Sequence, residues 1–353
     1  MDCIEISGYK SINKERIDLN SVNVLIGANG SGKSNFISFF TLLNRLYNRK
    51  LNTFIELAGG AGKILHKGLK KTGSISFKIE FDNGNYGYSS EITAGTDGFI
   101  FTKEELFNNN NSWDISGNSK ESLIKNSDNK VAKYIIEHLQ KFRKYHFHDT
   151  SKNSPFVNLS NIENDIYFLY SDGSNIASFL YYIRENHKII YDNIVKTIRS
   201  VAPYFSDFYL LPNKENYVKL QWTDNYSETI YGAADLSDGT MRFIALAVLF
   251  MQPELPGTLI IDEPELGLHP KAVTKLAGLI KSAASKGCQV VVATQSTDLI
   301  SHFNPEDIIT VDMINGETKF KRLNSADLSM WLEEYTLDDL WRRNIITTGQ
   351  TNY

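Results

Sequence analysis

The sequence predicts an α/β fold with a mixed, mostly parallel sheet covered by helices on both faces. Three observations carry it. In the last third, apolar runs at 258–261 and 288–293 alternate with helical patterns at 241–251 and 272–285. Continuous apolar strands between helices are the mark of a buried parallel sheet. Near the start, the apolar run Val22–Ile26 leads into a glycine-rich loop and then a helical pattern. Between these, Ser74–Phe81 alternates with period two and meets Asn83-Gly84, a hairpin signal.

In chain order, residues 3–7 read as a strand, Gly8 as a turn and 16–19 as a second strand. Phe36, Ile37, Phe40, Leu43 and Tyr47 recur at helical spacing. Residues 103–130 are rich in Asn, Ser and Gly, with Asn108-Asn109-Asn110-Asn111 at their centre, and read as a loop or weakly ordered insert. Helical patterns follow at 131–142 and, as one helix, at 176–198. Strand-like segments stand at 208–211 and 217–222. Residues 308–314 and 318–323 flank Asn315-Gly316, a second hairpin. The chain closes on a helix-like segment with Trp331, Tyr335 and Trp341.

The 353 residues suffice for one large domain or two modest ones. With 37 basic and 41 acidic residues, a net charge of −4 excludes a strongly basic nucleic-acid coat but not a local basic groove. Two cysteines, Cys3 and Cys288, make neither a disulfide framework nor a zinc site. With no signal peptide and no apolar run of membrane-spanning length, a cytoplasmic protein without membrane contact is expected.

Three motifs carry chemistry. Gly27-Ala28-Asn29-Gly30-Ser31-Gly32-Lys33-Ser34 fits G-x-x-x-x-G-K-[ST] between a strand and a helix. Glycines let backbone N–H groups turn toward a polyphosphate, and the helix start adds its positive dipole end. Lys33 would reach the β- and γ-phosphates, and Ser34 would bind Mg²⁺. The run 258–261 ends in Asp262-Glu263-Pro264. Asp262 would hold the Mg²⁺ shell and Glu263 would act as general base. Leu236-Ser237-Asp238-Gly239-Thr240 precedes an apolar helix, 25 residues before Asp262 as counted from Ser237. It reads as a second anion-binding helix end, serving a nucleotide held by another copy, or as a plain helix N-cap.

In this order and spacing the motifs resemble an ATP-binding-cassette (ABC) ATPase head, a P-loop NTPase. Glu265-Leu266-Gly267-Leu268-His269-Pro270 makes the likeness closer to the RecF, SMC and OLD branch than to transporters. Tyr145-His146-Phe147-His148-Asp149-Thr150, Gln295-Ser296 and the ending with Trp331 and Trp341 extend it to stand-alone, RecF-like ATPases of prokaryotes, often encoded beside defence genes. The resemblance implies ATP and Mg²⁺ as cofactors, with ATP bound by Asn29, Gly30, Ser31, Gly32, Lys33, Ser34 and Asn35. It implies Ser34 and Asp262 as the Mg²⁺ residues, and Glu263, Lys33 and Gln295 as catalytic. It also implies a homodimer in which Ser237, Asp238 and Gly239 meet the nucleotide of the other copy. The implied architecture is an ABC-type core at 1–102 and 201–325, a mainly helical insert at 103–200, and a C-terminal aromatic segment at 326–353.

This sequence departs from the family pattern. Asp238 stands where Gly is usual, Thr240 where many members have Gln, and Gln295 where His is usual. Gln can hydrogen-bond a γ-phosphate but cannot become charged, so slow turnover is expected. No Gln lies between Ser34 and Gln140, which leaves the usual Q-loop unassigned. Only about fifty residues follow Ile300, fewer than the ~100 of a small nuclease domain. A sensor or regulator of anti-phage defence would therefore act through a separate nuclease or toxin chain. A DNA-maintenance ATPase and an ATP-binding scaffold with little turnover are the alternatives.

Three features stay open at this level. His146, His148 and Asp149 are metal ligands or acid–base groups, or polar residues of a domain junction. Lys63, His66, Lys67, Lys70 and Lys71 meet a nucleic-acid backbone or form a solvated loop. Trp331, Leu332, Tyr335, Leu337, Leu340 and Trp341 pack on the core or dock a partner.

Overall fold

The structure, a computed structural model, describes residues 1–95, 98–109, 111–151, 153–343 and 345–346. The chain forms an α/β fold in two compact units. One comprises Met1–Phe142 with Asn304–Tyr353, the other Arg143–Phe303.

In the first unit, Ile12–Asp18, Cys3–Tyr9, Ser74–Phe81, Tyr86–Gly95, Gly98–Asn108 and Asn111–Asp114 lie side by side as an antiparallel sheet. Separately, Ile308–Ile314 pairs antiparallel with Glu317–Arg322 and parallel with Val22–Ile26. The helix Lys33–Tyr47 buries more than the stripe read from its spacing, because Phe39 and Leu42 are buried too. On one side Phe39 meets Tyr9 and Phe77 edge to face, at 5.5 and 5.6 Å between centroids. On the other, Phe36 lies 5.2 Å from Phe320. A helix apolar around most of its girth is one packed between two layers.

Two readings in this unit need correction. The strand Cys3–Tyr9 runs straight through Gly8, and the turn falls at Lys10 and Ser11. Gly8, with φ 76°, serves a close approach: a Cβ there would lie 2.3 Å from the Ser74 carbonyl oxygen. Residues 98–108 and 111–114 are strands, where a loop is expected from 103 onward. Their order depends on Glu104, which is wholly buried. Its carboxylate accepts the Tyr88 hydroxyl at 2.6 Å, the Leu123 N–H at 2.9 Å and the Ser122 hydroxyl. The polar stretch folds back onto this acid, a partner that composition cannot reveal. Within the Asn run, Asn108 and Asn111 pair across a strand turn, and Asn110 lies outside the described residues.

In the second unit, Thr258–Asp262 and Gln289–Thr294 pair in parallel. The helix Asp238–Met251 is buried at every position from Met241 to Phe250. The helix Pro270–Ser285 packs against it. Phe205–Phe208, Gln221–Asp224 and Ser227–Gly232 form a small antiparallel sheet, the last of these strands unforeseen. The single helix expected at 176–198 is two, Ile176–Asn186 and Lys188–Val201, because His187 leaves the helical region at φ −137°, ψ 53°. Its carbonyl accepts the Ile190 and Tyr191 N–H groups and so starts the second helix. Among the described residues, no helix is long and apolar enough to cross a membrane.

Glu104→Leu removes the acceptor of three donors, two of them on the buried Tyr88 and Ser122, and is expected to lower the unfolding free energy by about 2–5 kcal/mol. Urea denaturation measures this, and Glu104→Gln, which keeps an acceptor oxygen, should lose less.

Candidate functional site

In the first unit, the strand Val22–Ile26 delivers the chain into the 27–34 loop. Gly27 admits the loop to the neighbouring strand, since a Cβ there would lie 2.1 Å from the Val311 carbonyl oxygen. Gly30, at φ 80°, has open space around its Cβ position. Gly32, at φ 108°, starts the helix Lys33–Tyr47 from the left-handed region. A Cβ on it would meet the Thr318 hydroxyl oxygen at 1.9 Å. Thr318 in turn donates to the Ser31 carbonyl at 3.0 Å and shares a 2.6 Å hydrogen bond with Ser11. Ser11 also accepts the Asn35 side-chain amide at 2.7 Å.

Asn29, Gly30 and Ser34 are exposed, while Ser31 and Lys33 are buried. The Lys33 ammonium donates to the Gly27 and Ala28 carbonyls at 2.6 and 3.0 Å. The Ser31 hydroxyl is buried with no hydrogen-bond partner. A glycine loop with left-handed turns, an orphaned hydroxyl, a lysine laid across it and a helix N-terminus fits a polyphosphate.

In the second unit, Asp262 ends its strand and Glu263 follows at φ 45°, a left-handed conformation unusual for a residue with a side chain. The Glu263 N–H donates to the Ala293 carbonyl at 2.8 Å. Its carboxylate accepts the Gln295 side-chain amide. Two predicted residues are thus joined directly. Two positions further along the chain, Glu265 accepts the buried Thr294 hydroxyl. Its other carboxyl oxygen is buried without a partner. Burial, helped by the negative charge of Glu263, pushes the Glu265 carboxyl above its ordinary pKa.

At the third motif, Ser237 caps the helix Asp238–Met251 by accepting the Thr240 N–H at 3.2 Å. Its hydroxyl donates to the Thr240 hydroxyl at 2.9 Å, and Tyr204 bonds the same oxygen at 3.0 Å. Thr240 therefore braces Ser237 from both its N–H and its hydroxyl. Ser237 and Asp238 are exposed. Gly239 lies against the loop after Glu263, where a Cβ would come within 2.4 Å of the Gly267 carbonyl oxygen.

Sequence reading missed Ser11, Thr318, Thr294 and Arg242. The first three are small polar residues with no local signal. Arg242 had one, a lone charge in an apolar helix. It is 7% exposed and bonds three carbonyls: Phe147 at 2.9 Å, His148 at 3.1 Å, and Leu266. Burial lowers its pKa, and Asp238 partly offsets this.

The features left open resolve unevenly. The His146 and His148 rings pack 4.1 Å apart, and burial followed by the charge of His148 lowers the His146 pKa. His148 Nε2 donates to the Asp262 carbonyl at 3.1 Å. Asp149 accepts the Ser151 N–H at 3.0 Å, and no metal-holding group of three such side chains exists among the described residues. In the 63–71 segment, Lys67 pairs with Glu317 at 3.3 Å and the buried His66 bonds the Lys10 carbonyl at 2.8 Å, while Lys63, Lys70 and Lys71 are exposed. Toward the C-terminus Leu337 and Leu340 are buried, and Trp331 is 43% exposed, with its ring 6.2 Å from that of Tyr335. Residues 344 and 347–353 of that segment lie outside the described residues. Gln140 donates to the Tyr47 hydroxyl, within the first unit.

A carboxyl whose native pKa is raised binds its proton more tightly folded than unfolded. The stability it permits is complete below the ordinary carboxyl pKa and is lost as pH rises through the native value. Glu265→Gln keeps an acceptor for Thr294 and removes this loss. The variant is expected to be more stable than the parent at pH 8 and to lose that advantage near pH 4, as read from urea midpoints.

A crystal structure of an SMC head bound to the C-winged helix domain of ScpA matches with TM-score 0.63 at 18% identity, covering 93% of this chain and 99% of that one. An SMC head from Pyrococcus furiosus, bound to the C-terminal domain of ScpA, gives 0.60 at 15%, covering 94% and 98%. At such identities the likeness is one of fold. The energy-coupling factor transporter ATP-binding protein EcfA2 of Streptococcus agalactiae serotype Ia is 37% identical over 70 residues, 20% of this chain and 24% of that protein. That of Lactococcus lactis subsp. cremoris is 39% identical over 70 residues, 20% of this chain and 23% of that protein. The chain thus matches about a quarter of the length of these relatives. Residues 22–301 match the family described as "AAA domain, putative AbiEii toxin, Type IV TA system"; the chain belongs to that family, and its fold is that of an ABC-type ATPase head of the RecF, SMC and OLD kind.

Proposed function

We propose that this chain is an ATPase that binds Mg-ATP, dimerises through it, and hydrolyses it with Glu263 as general base. The observation that carries the reading is the Glu263 carboxylate, set in a left-handed turn directly after Asp262 and held by the Gln295 amide. A carboxylate fixed by a neutral donor keeps lone pairs to accept a proton from water. In this reading the water adds to the γ-phosphorus, Glu263 takes its proton, and ADP leaves with its bond to the γ-phosphoryl broken. Asn29, Gly30, Ser31, Gly32 and Asn35 shape the phosphate loop, and Lys33 neutralises phosphate charge. Ser34 and Asp262 are the residues that would hold Mg²⁺, which supplies charge neutralisation when bound. Gln295 orients without changing charge, which favours slow turnover.

Ser237, Asp238 and Gly239 stand at an exposed helix start, a position suited to the nucleotide of a second copy. The family description names a toxin and a type IV toxin–antitoxin system, and the solved heads carry a domain of another protein. Both support a cytoplasmic regulator of prokaryotic anti-phage defence that acts through a separate nuclease or toxin. The exposed Lys63, Lys70 and Lys71 favour nucleic-acid contact as a second reading.

Steady-state phosphate release tests the central step. Glu263→Gln is expected to lower kcat by about 10²-fold or more while ATP still binds, and Lys33→Ala to lose ATP binding. Unchanged turnover in Glu263→Gln would remove Glu263 as the base, and turnover equally close to zero in parent and variant would leave the ATP-binding scaffold.

A further inference from the structure

Arg242 is a buried cation with no carboxylate bonded to it among the described residues. Its guanidinium bonds only backbone carbonyls there, those of Phe147, His148 and Leu266. Desolvating a guanidinium is costly, and a Met or Leu would fill the same space in this apolar helix at less cost. What the charge adds is a three-way tie between segments far apart in sequence.

The tie has a direction. Arg242 lies on the first turns of the helix that Ser237 caps. Leu266 stands three residues after Glu263, on the loop that Gly239 touches. His148, whose carbonyl Arg242 holds, donates from its ring to the Asp262 carbonyl at 3.1 Å. The side chains of Arg242 and His148 therefore link the capped helix end to both the Asp262 backbone and the loop after Glu263. Arg242, His148, Asp262 and Glu263 also line one cavity of about 10 Å³, room for no more than a single water. The close Gly239–Gly267 approach leaves no slack at the helix end. A displacement of Ser237 must move the carboxylate loop with it.

We infer that Arg242 is a positioning residue that couples the Ser237 helix end to Asp262 and Glu263, so that the two nucleotides of the dimer are hydrolysed cooperatively. The inference rests on the proposed trans role of Ser237. A nucleotide carried by one copy presses on the Ser237 end of the other. Arg242 passes that displacement to the carboxylates with which the second copy acts on its own nucleotide. Without the guanidinium each copy acts alone.

The test compares the ATP dependence of phosphate release in the parent, Arg242→Met and Arg242→Lys, with a fluorescent ATP analogue reporting affinity and circular dichroism reporting folding. The parent is expected to show a Hill coefficient approaching 2, its number of sites. In Arg242→Met the coefficient should fall to about 1 and kcat by about tenfold, with analogue affinity within about twofold. Arg242→Lys, which keeps the charge but cannot fork to three carbonyls, should recover part of both. It also serves if the Met variant does not fold. A folded variant of either kind with the parent's Hill coefficient and kcat overturns the coupling and leaves the ATPase reading standing. So does a loss of analogue affinity that accounts for the whole loss of rate. A parent that turns over ATP with a coefficient of 1 overturns both the coupling and the trans role of Ser237.

Discussion

A loop that offers its amide hydrogens to a ligand must have its own carbonyls satisfied from within the protein. In the 27–34 loop, Thr318 donates to the Ser31 carbonyl, and Lys33 donates to those of Gly27 and Ala28. These bonds hold the glycines in conformations that side chains rarely adopt. They also explain why strand Glu317–Arg322, far away in sequence, carries a wholly buried threonine at its second position. The helix Lys33–Tyr47 inherits its direction from this anchorage and is then fixed by aromatic contacts on two sides.

The carboxylate elements answer a different constraint. Glu263 pays for a left-handed backbone, of order 1–3 kcal/mol, and such conformations persist where the surroundings over-determine them. Here they do: its N–H is held by Ala293 and its carboxylate by Gln295. Thr294 and Gln295 bond Glu265 and Glu263 respectively, so adjacent residues at one strand end fix two acids. Arg242 then binds the following loop to the helix that Ser237 caps. The three motifs read as separate signals; in the second unit two of them share one hydrogen-bonded framework.

Much of this was legible in sequence. Val22–Ile26 and Ser74–Phe81 have the predicted bounds, since apolar continuity and strict alternation are local signals. So was the fold class, because the glycine loop and the acid-terminated strand each join a period to a fixed local chemistry. What stayed hidden depends on distant partners. Gly8 signals a turn by type but serves contact with Ser74. The polar stretch around the Asn run resembles a loop until Glu104 is seen to gather Tyr88, Ser122 and Leu123. His187 breaks a helix whose apolar spacing continues on both sides. Ser11 and Thr318 lie 307 residues apart and meet only after folding.

Under the proposed function, ATP joins two copies through Ser237, and the other steps depend on that junction. The most direct measurement is the solution mass of Glu263→Gln with and without Mg-ATP, repeated with Ser237→Arg added. The trans role of Ser237 entails a monomer that becomes a dimer with Mg-ATP, and a monomer under both conditions once Ser237 is replaced. A mass that ignores ATP, or a dimer that still forms with ATP in the double variant, would contradict it.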